Sequence, residues 1–516
     1  YAVDNERRRD ILAAAARAVM STSSSTGAPE NSMAMLARFA FRAVECGDTR
    51  LKAAGYRAAR AALLGCRQRR EFNLVREMLR ITRALAPEGE AASWTLELAT
   101  DAIRQGKYQL ASQYLTEVAD MTSEADPIRN QAVVAMARMK SDRGSYSDAV
   151  SLVAHVTEVA AKAVEAHARM SMGEYAAAES ICETALQSPS TADEKAELRN
   201  ILALVYYYTE RMDLAVEQFE AAAAAFGALG DLPRQAQAVT GIGLVHHRRG
   251  AFEPALAAYS RSLDLAQQSG ERRRITISSM NIGTVLQETG RLSEAVEQYR
   301  EAVYSAELLG DRGSVAKAAN NLGNVLVEIG SLAEAEWWLT RSIDAAESQN
   351  DRLLGAYARG TLGRLKHLQG DISAARVELT TVAAELRELG TLGESGEILI
   401  ELGLVARSAH DPDGMDHFAS AVEHASKHSG AEKQTAWVTF LRGEALRIRG
   451  EPEAAMPLIR AALQLSEQTN VRKLSWRCDA SLGRIYRELG NAMEARARFH
   501  ASSERLLTHA GTLEGR

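Results

Sequence analysis

The chain has 516 residues, 46% of them hydrophobic but only 5% aromatic, with nine prolines and a surplus of alanine and leucine. That is too long for one compact core, and the composition favours packed helices over sheets. A formal charge of -6, from 61 Lys and Arg against 67 Asp and Glu, lacks the net basic charge that holds nucleic-acid phosphates, so no nucleic-acid partner is expected.

At the N-terminus, ILAAAARAVM follows acidic residues and is interrupted by Arg17, so residues 1–20 are expected to hold an amphipathic helix rather than a signal sequence. The chain opens on Tyr1 instead of methionine, as a piece of a longer protein or a processed product would. STSSSTGAPENS, residues 21–32, has the composition of a flexible linker. No apolar run approaches the roughly 20 residues of a membrane span, and no membrane association is expected. Cys46, Cys66, Cys182 and Cys478 stand far apart without a CxxC pair, which speaks against a zinc site or a disulfide framework and for a reducing, cytoplasmic setting.

Residues 33–190 are expected to form about four irregular helical hairpins. RQGKYQLASQYL, DRGSYSDAVSLV and SMGEYAAAESIC each show a turn followed by a small residue, Ala111, Ala149 and Ala178, but their glycines are spaced 38 and then 29 apart. REFNLVREMLRITRALAP reads as a further second helix.

From residue 191 onward a 40-residue period sets in. Gly243, Gly283, Gly323, Gly363, Gly403, Gly443 and Gly483 recur in step, each in a stretch that otherwise wants to be helix, and Ala203 stands one period earlier. A mid-helix glycine costs about 1 kcal/mol against alanine, so a close contact must offset it. Seven residues on, Gly250, Gly290, Gly330, Gly370, Gly450 and Gly490 are suited to close a first helix. A second helix follows at once, with Ser331–Glu334 and Asn491–Glu494 as candidate capping boxes. It carries its own small residue (Ala215, Ala255, Ala295, Ala335, Ala375, Ala455, Ala495) and ends at Gly230, Gly270, Gly310, Asn350, Gly390, Gly430 or Asn470. Gly323 is expected to face Ala335 across the hairpin. His410 and Met415 break the pattern where glycine and alanine are expected, and Arg442 occupies a leucine slot.

Residues in this register resemble the tetratricopeptide repeat over roughly 195–516, as eight units. The 40-residue period and runs such as LLGDRGSVAKAANNLGN resemble the long-repeat members: kinesin light chains, Leu-Gly-Asn-rich spindle-orientation adaptors and bacterial regulators. The resemblance implies an all-α, right-handed superhelical solenoid of antiparallel helix hairpins whose concave groove binds peptide segments. It also implies that the groove is lined by first-helix positions six, three and two before the core glycine and one, four and five after it. On that register, the positions four after the glycine in the last four repeats read His367, Arg407, Arg447 and Arg487, a basic ladder, with Asn320, Asn321, Asn324, Arg364 and Arg484 beside it. Trp437, Phe440 and Leu441 share one helix stripe and are expected to face the groove as an apolar anchor. Against these readings stand internal salt bridges, with Glu444 three before Arg447 and Glu488 four after Arg484, and packing of the apolar trio on an adjoining repeat. The family's carboxylate clamp is not matched: Asn320 stands where its lysine belongs, and Glu397 and Glu401 take later basic places.

No phosphate loop, GxSxG turn, HExxH or dinucleotide fingerprint is present. His417, His424 and His428 line one helix stripe but read as a solvated face, and HHRR (246–249) and ERRR (271–274) as charged helix ends; no metal or cofactor is expected. The expected function is a non-enzymatic interaction scaffold or sensor module for a protein or peptide segment, extended and acidic or phosphate-bearing. The alternative is the regulatory part of a signalling enzyme (kinase, nucleotide-driven switch or caspase-like protease) whose catalytic domain acts in cis or trans.

Overall fold

The computed structural model describes residues 10–514 except 13, 17–29, 47–48, 69–71, 105–106, 125, 392–394, 427–431 and 470. The protein is all-α; among the described residues no strand is present. The chain divides into two compact units, residues 1–222 and 223–516.

In the first unit, residues 10–12 and 14–16 are helical and the rest of the expected N-terminal helix lies outside the described residues. Most of the expected linker lies outside them too, but its last residues already belong to a helix. α1 (Glu30–Glu45), α2 (Lys52–Gln68) and α3 (Phe72–Leu85) pack in succession, and three hairpins follow. These are α4 (Ala91–Arg104) with α5 (Tyr108–Met121), α6 (Pro127–Asp142) with α7 (Tyr146–Val153), and α8 (Val159–Ser171) with α9 (Tyr175–Gln187). Ala111, Ala149 and Ala178 are all fully buried at the hairpin contacts. The short glycine spacing has a simple origin: α7 has only 8 residues, so the next turn arrives early. α10 (Ala192–Tyr208) then starts on a full capping box, Thr191 with Glu194.

α11 (Met212–Ala228) carries the boundary between the units. Beyond it, the second unit is a run of hairpins. They are α12 (Leu232–Arg248) with α13 (Phe252–Ser269), α14 (Arg272–Glu288) with α15 (Leu292–Leu309), α16 (Arg312–Ile329) with α17 (Leu332–Glu347), and α18 (Arg352–Leu368) with α19 (Ile372–Glu388). α20 (Ser395–Ser408) with α21 (Pro412–Ser426), α22 (Glu432–Ile448) with α23 (Pro452–Gln468), and α24 (Arg472–Glu488) with α25 (Ala492–Glu514) complete it. First helices of successive repeats also touch one another from α12 to α24, which makes them the inner layer.

The turns obey the glycine register. All the first-helix turn glycines have positive φ, and Asn350 and His410 adopt the same left-handed conformation at +55° in their places. Gly430 and Asn470 lie outside the described residues. The core glycines do not chiefly face the second-helix alanine, as expected for Gly323 and Ala335. A Cβ on Gly323 would lie 2.6 Å from Leu339 Cγ, with the Ala335 carbonyl oxygen only next at 3.4 Å. The same residue sixteen places on fills the notch elsewhere: Tyr259 on Gly243, Tyr299 on Gly283, Leu379 on Gly363, Ile459 on Gly443 and Phe499 on Gly483. The glycine makes room for a large side chain packed flat on the first helix. In the irregular repeat that position is Ala419, and Leu441 of the following repeat reaches back onto Gly403, 2.6 Å from its missing Cβ. Met415, in the alanine slot, is fully buried.

The Ser331–Glu334 capping box does not form. Ser331 makes no side-chain cap, and Glu334 instead accepts from Arg300 at 2.8 Å and from the Trp338 indole at 3.3 Å. At the other candidate, Asn491 accepts from the Glu494 backbone at 3.2 Å.

Candidate interaction groove

Four inner helices of the second unit, α18, α20, α22 and α24, present the ladder positions, and most of these side chains are engaged within the protein. Glu444, on α22, is wholly buried and lies between two rungs: Arg407 donates to it from α20 at 2.5 Å and Arg447 at 2.8 Å. Burial alone would raise the pKa of this carboxyl, but the two guanidinium groups overcome that and hold it down to about 2. Arg447 also holds Glu488 at 2.9 Å. Glu444 therefore pairs with Arg447 as its spacing suggests, whereas Glu488 goes to Arg447 and not to Arg484. His367 shares a hydrogen bond with Ser408 at 2.8 Å, and burial pushes its pKa down. Arg487 is exposed.

Arg364 donates to Asn324 Oδ1 at 2.6 Å, across successive repeats. Asn321 is half-buried on the same helix as Asn320, whose Oδ1 is buried without a hydrogen-bond partner. Arg484 has its Nη1 buried and likewise unpartnered.

The expected apolar anchor divides. Phe440 and Leu441 are 0% exposed and belong to the core, Leu441 because Gly403 needs it. Only Trp437 remains half-buried at the inner face. It meets Phe440 edge-on, with ring centroids 6.1 Å apart, and the Arg477 guanidinium lies 5.8 Å above its ring. Arg442, out of its leucine register, reaches Glu423 at 2.7 Å.

A cavity of about 510 Å³ joins several of these groups. It is lined by Asn320 and Asn324 of α16, Tyr357 and Arg364 of α18, Glu397 and Glu401 of α20, Gln434 and Trp437 of α22, and Lys473 of α24. The expected ladder implied an open groove, but here α24 comes round to α16: Lys473 forms a salt bridge with Glu328, 145 residues away, and α25 touches α15. Tyr357, Glu397, Trp437 and Arg477 all stand six residues before their core glycine, so the family register already marked this rung. The closure by Lys473 follows from the winding of the repeats, which no local spacing encodes.

Elsewhere, His417 and His424 are exposed on α21 and His428 lies outside the described residues. Among the described residues no group of three or more His, Cys, Asp or Glu side chains is placed to hold a metal ion. Nor is any helix long and apolar enough to cross a membrane. In the basic helix ends, His247 pairs with Glu288 at 3.1 Å, and Arg274, half-buried, donates to Gln237 at 3.4 Å.

Helix hairpins in a 40-residue register, with a glycine notch filled from sixteen residues on, define a tetratricopeptide-type solenoid. The family model for the tetratricopeptide repeat matches residues 194–268 and 273–348, so this stretch of the chain consists of tetratricopeptide repeats. Among solved structures it is similar to the apo form of RapI, with 15% identity, 66% of this chain and 99% of that chain covered, and a TM-score of 0.50. It is also similar to aspartyl phosphate phosphatase F from Bacillus subtilis (14% identity, 71% and 92% covered, TM-score 0.44) and to the apo quorum sensor NprR from B. thuringiensis (12%, 81% and 99%, TM-score 0.41). No curated protein matches.

Proposed function

We propose that the second unit is an interaction module that takes an extended segment of another protein into the inner cavity, as a scaffold or as the sensor arm of a larger signalling protein. The observation that carries this reading is the cavity itself: five successive inner helices surround it, and it offers both signs of charge and the half-buried face of Trp437. The side-chain amide nitrogens of Asn320 and Asn324 can donate to backbone carbonyls of an extended chain, since Asn324 Oδ1 already accepts from Arg364. A uniformly acidic segment suits the cavity less than one carrying both charges, because Glu397 and Glu401 line it and Glu444 with Glu488 balances two of the ladder's arginines. The same cavity would serve a regulatory part whose catalytic partner acts in cis or in trans.

Selection of a random peptide display library on the full chain tests the reading. Recovered peptides are expected to lose roughly tenfold or more in affinity for Glu401→Lys, as a charged contact reversed would cost, while Trp337→Ala, on an outer helix, leaves binding unchanged. Peptides that bind Glu401→Lys at full strength but lose to an outer-face substitution would move the binding surface out of the cavity.

A further inference from the structure

Beyond the cavity, the inner wall of the second unit holds a group of charges whose balance is incomplete. Arg407, Arg447, Arg484 and Arg487 come together from α20, α22 and α24. The carboxylates at hand are Glu444, which is taken by Arg407 at 2.5 Å and Arg447 at 2.8 Å, and Glu488, which is taken by Arg447 at 2.9 Å. Asp479, on the same helix as Arg484, is engaged by Arg498 at 3.0 Å and Arg505 at 2.8 Å. Arg484 is left with a buried Nη1 that donates to nothing.

A buried donor without an acceptor carries its full desolvation cost, and a buried charge without a counter-charge carries more. Burial and the repulsion of Arg407, Arg447 and Arg487 push the Arg484 pKa down, against the pull of Glu444. A protein group could have relieved this; among the described residues none does.

We infer that the inner wall carries an oxyanion site centred on Arg484, with Arg487 beside it, that accepts one carboxylate or phosphate group of a bound segment. The planar fork of a guanidinium matches the two oxygens of either group; Nη1 itself is closed off, and the rest of the half-buried Arg484 side chain is the part an anion can reach. The site shifts the expected anion contact away from Arg407 and Arg447, which Glu444 already satisfies. It rests on the reading of this inner face as a binding surface, but it can be tested without any peptide.

The experiment titrates the full chain with inorganic phosphate and, in a separate arm, with acetate, each against chloride at constant ionic strength, and follows the melting temperature and the heat of binding. At least one of the two anions is expected to raise the melting temperature of the wild type. Arg484→Gln is expected to weaken that anion roughly tenfold or more and, with no anion present, to melt no lower than the wild type, since the uncompensated charge is gone. Arg484→Lys keeps the charge but loses the fork and should fall between; Arg487→Gln, at an exposed position, should weaken the anion severalfold and keeps the test usable if Arg484→Gln does not fold. Stronger phosphate binding points to a phosphorylated side chain as the source, stronger acetate binding to an acidic side chain or a chain terminus. An equal response in wild type and both glutamine variants, or no response to either anion, overturns the site. If the anion response depends on Arg484 but no peptide is ever selected, the peptide reading fails and the site stands. If selected peptides bind Arg484→Gln at full strength and the anion response is absent, the site fails and the cavity reading stands.

Discussion

Gly323 is tolerated in the middle of α16 because Leu339 occupies the space its side chain would need. Gly323→Leu is expected to destabilise the protein by about 1–3 kcal/mol through overpacking, measured by urea denaturation. An unchanged midpoint would mean that Leu339 can turn aside at no cost. At Glu444 the controlling quantity is charge. Its carboxyl titrates near 2 in the folded protein and near the ordinary glutamate value in the unfolded chain, so the folded state binds its proton less readily. The stability this supplies is present above the unfolded pKa and is lost as pH falls from about 4.5 toward 2, for a total on the order of 3 kcal/mol. Glu444→Gln should lose stability at pH 7 by about 3–5 kcal/mol, because two guanidinium groups are left facing a neutral amide. The difference from wild type should narrow by pH 3, which denaturation curves at the two pH values will show. A gap that stays constant would place the acid sensitivity in other carboxylates.

At the level of helices, the irregular hairpin α20–α21 shows how one repeat repairs another. Ala419 leaves the notch of Gly403 empty within its own repeat, and Leu441 fills it from the next. Leu441→Ala is expected to cost about 2–5 kcal/mol, in the range of large-to-small core changes, and Ala419→Leu in that background should recover part of it, since leucine stands at that place in two regular repeats. If the double variant is no more stable than the single one, the notch is not what Leu441 serves. This arrangement also shows where the sequence was legible and where it was not. The period, the hairpins and the left-handed turns follow from glycine spacing, because a backbone conformation that only a few residue types adopt leaves a visible mark. Leu441 was read as a groove anchor because stripe position says which residues share a helix face but not which neighbour covers that face. Ser331 and Glu334 had the spacing of a capping box, but Arg300 on the adjoining repeat is a stronger partner for a carboxylate than a backbone amide. In both cases a contact from the next repeat outweighed the local pattern.

On the largest scale, the candidate site was only half visible. The register named the inner positions, and Asn320, Asn324, Arg364 and Trp437 do line one cavity. It could not name the state of their charges, since a salt bridge between helices of different repeats depends on how far each repeat turns from the last. Thus Arg407 and Arg447 proved to be occupied, while Lys473, which closes the cavity, sits at no groove position of the family register. Lys473→Ala is expected to increase peptide access to the cavity and to lower stability by about 1–3 kcal/mol, because Glu328, only 9% exposed, loses its counter-charge. Slower association in the variant, read by stopped-flow mixing with a selected peptide, would show that the bridge is not a barrier.

The bridge from Lys473 to Glu328, and the contact of α25 with α15, also bear on how the second unit comes apart. A linear array interacts only with nearest neighbours, so its end repeats can peel away singly. Here the last hairpin rests on repeats far back along the chain, and to release it means breaking a long-range closure as well as one local interface. Such a closure slows folding, because a large loop must be gathered before the contact forms. It should equally hold the C-terminal repeats against fraying, and amide hydrogens of α24 are expected to exchange nearly as slowly as those of α16. In Lys473→Ala the exchange of α24 should quicken first, turning one cooperative block into a sequence of smaller steps.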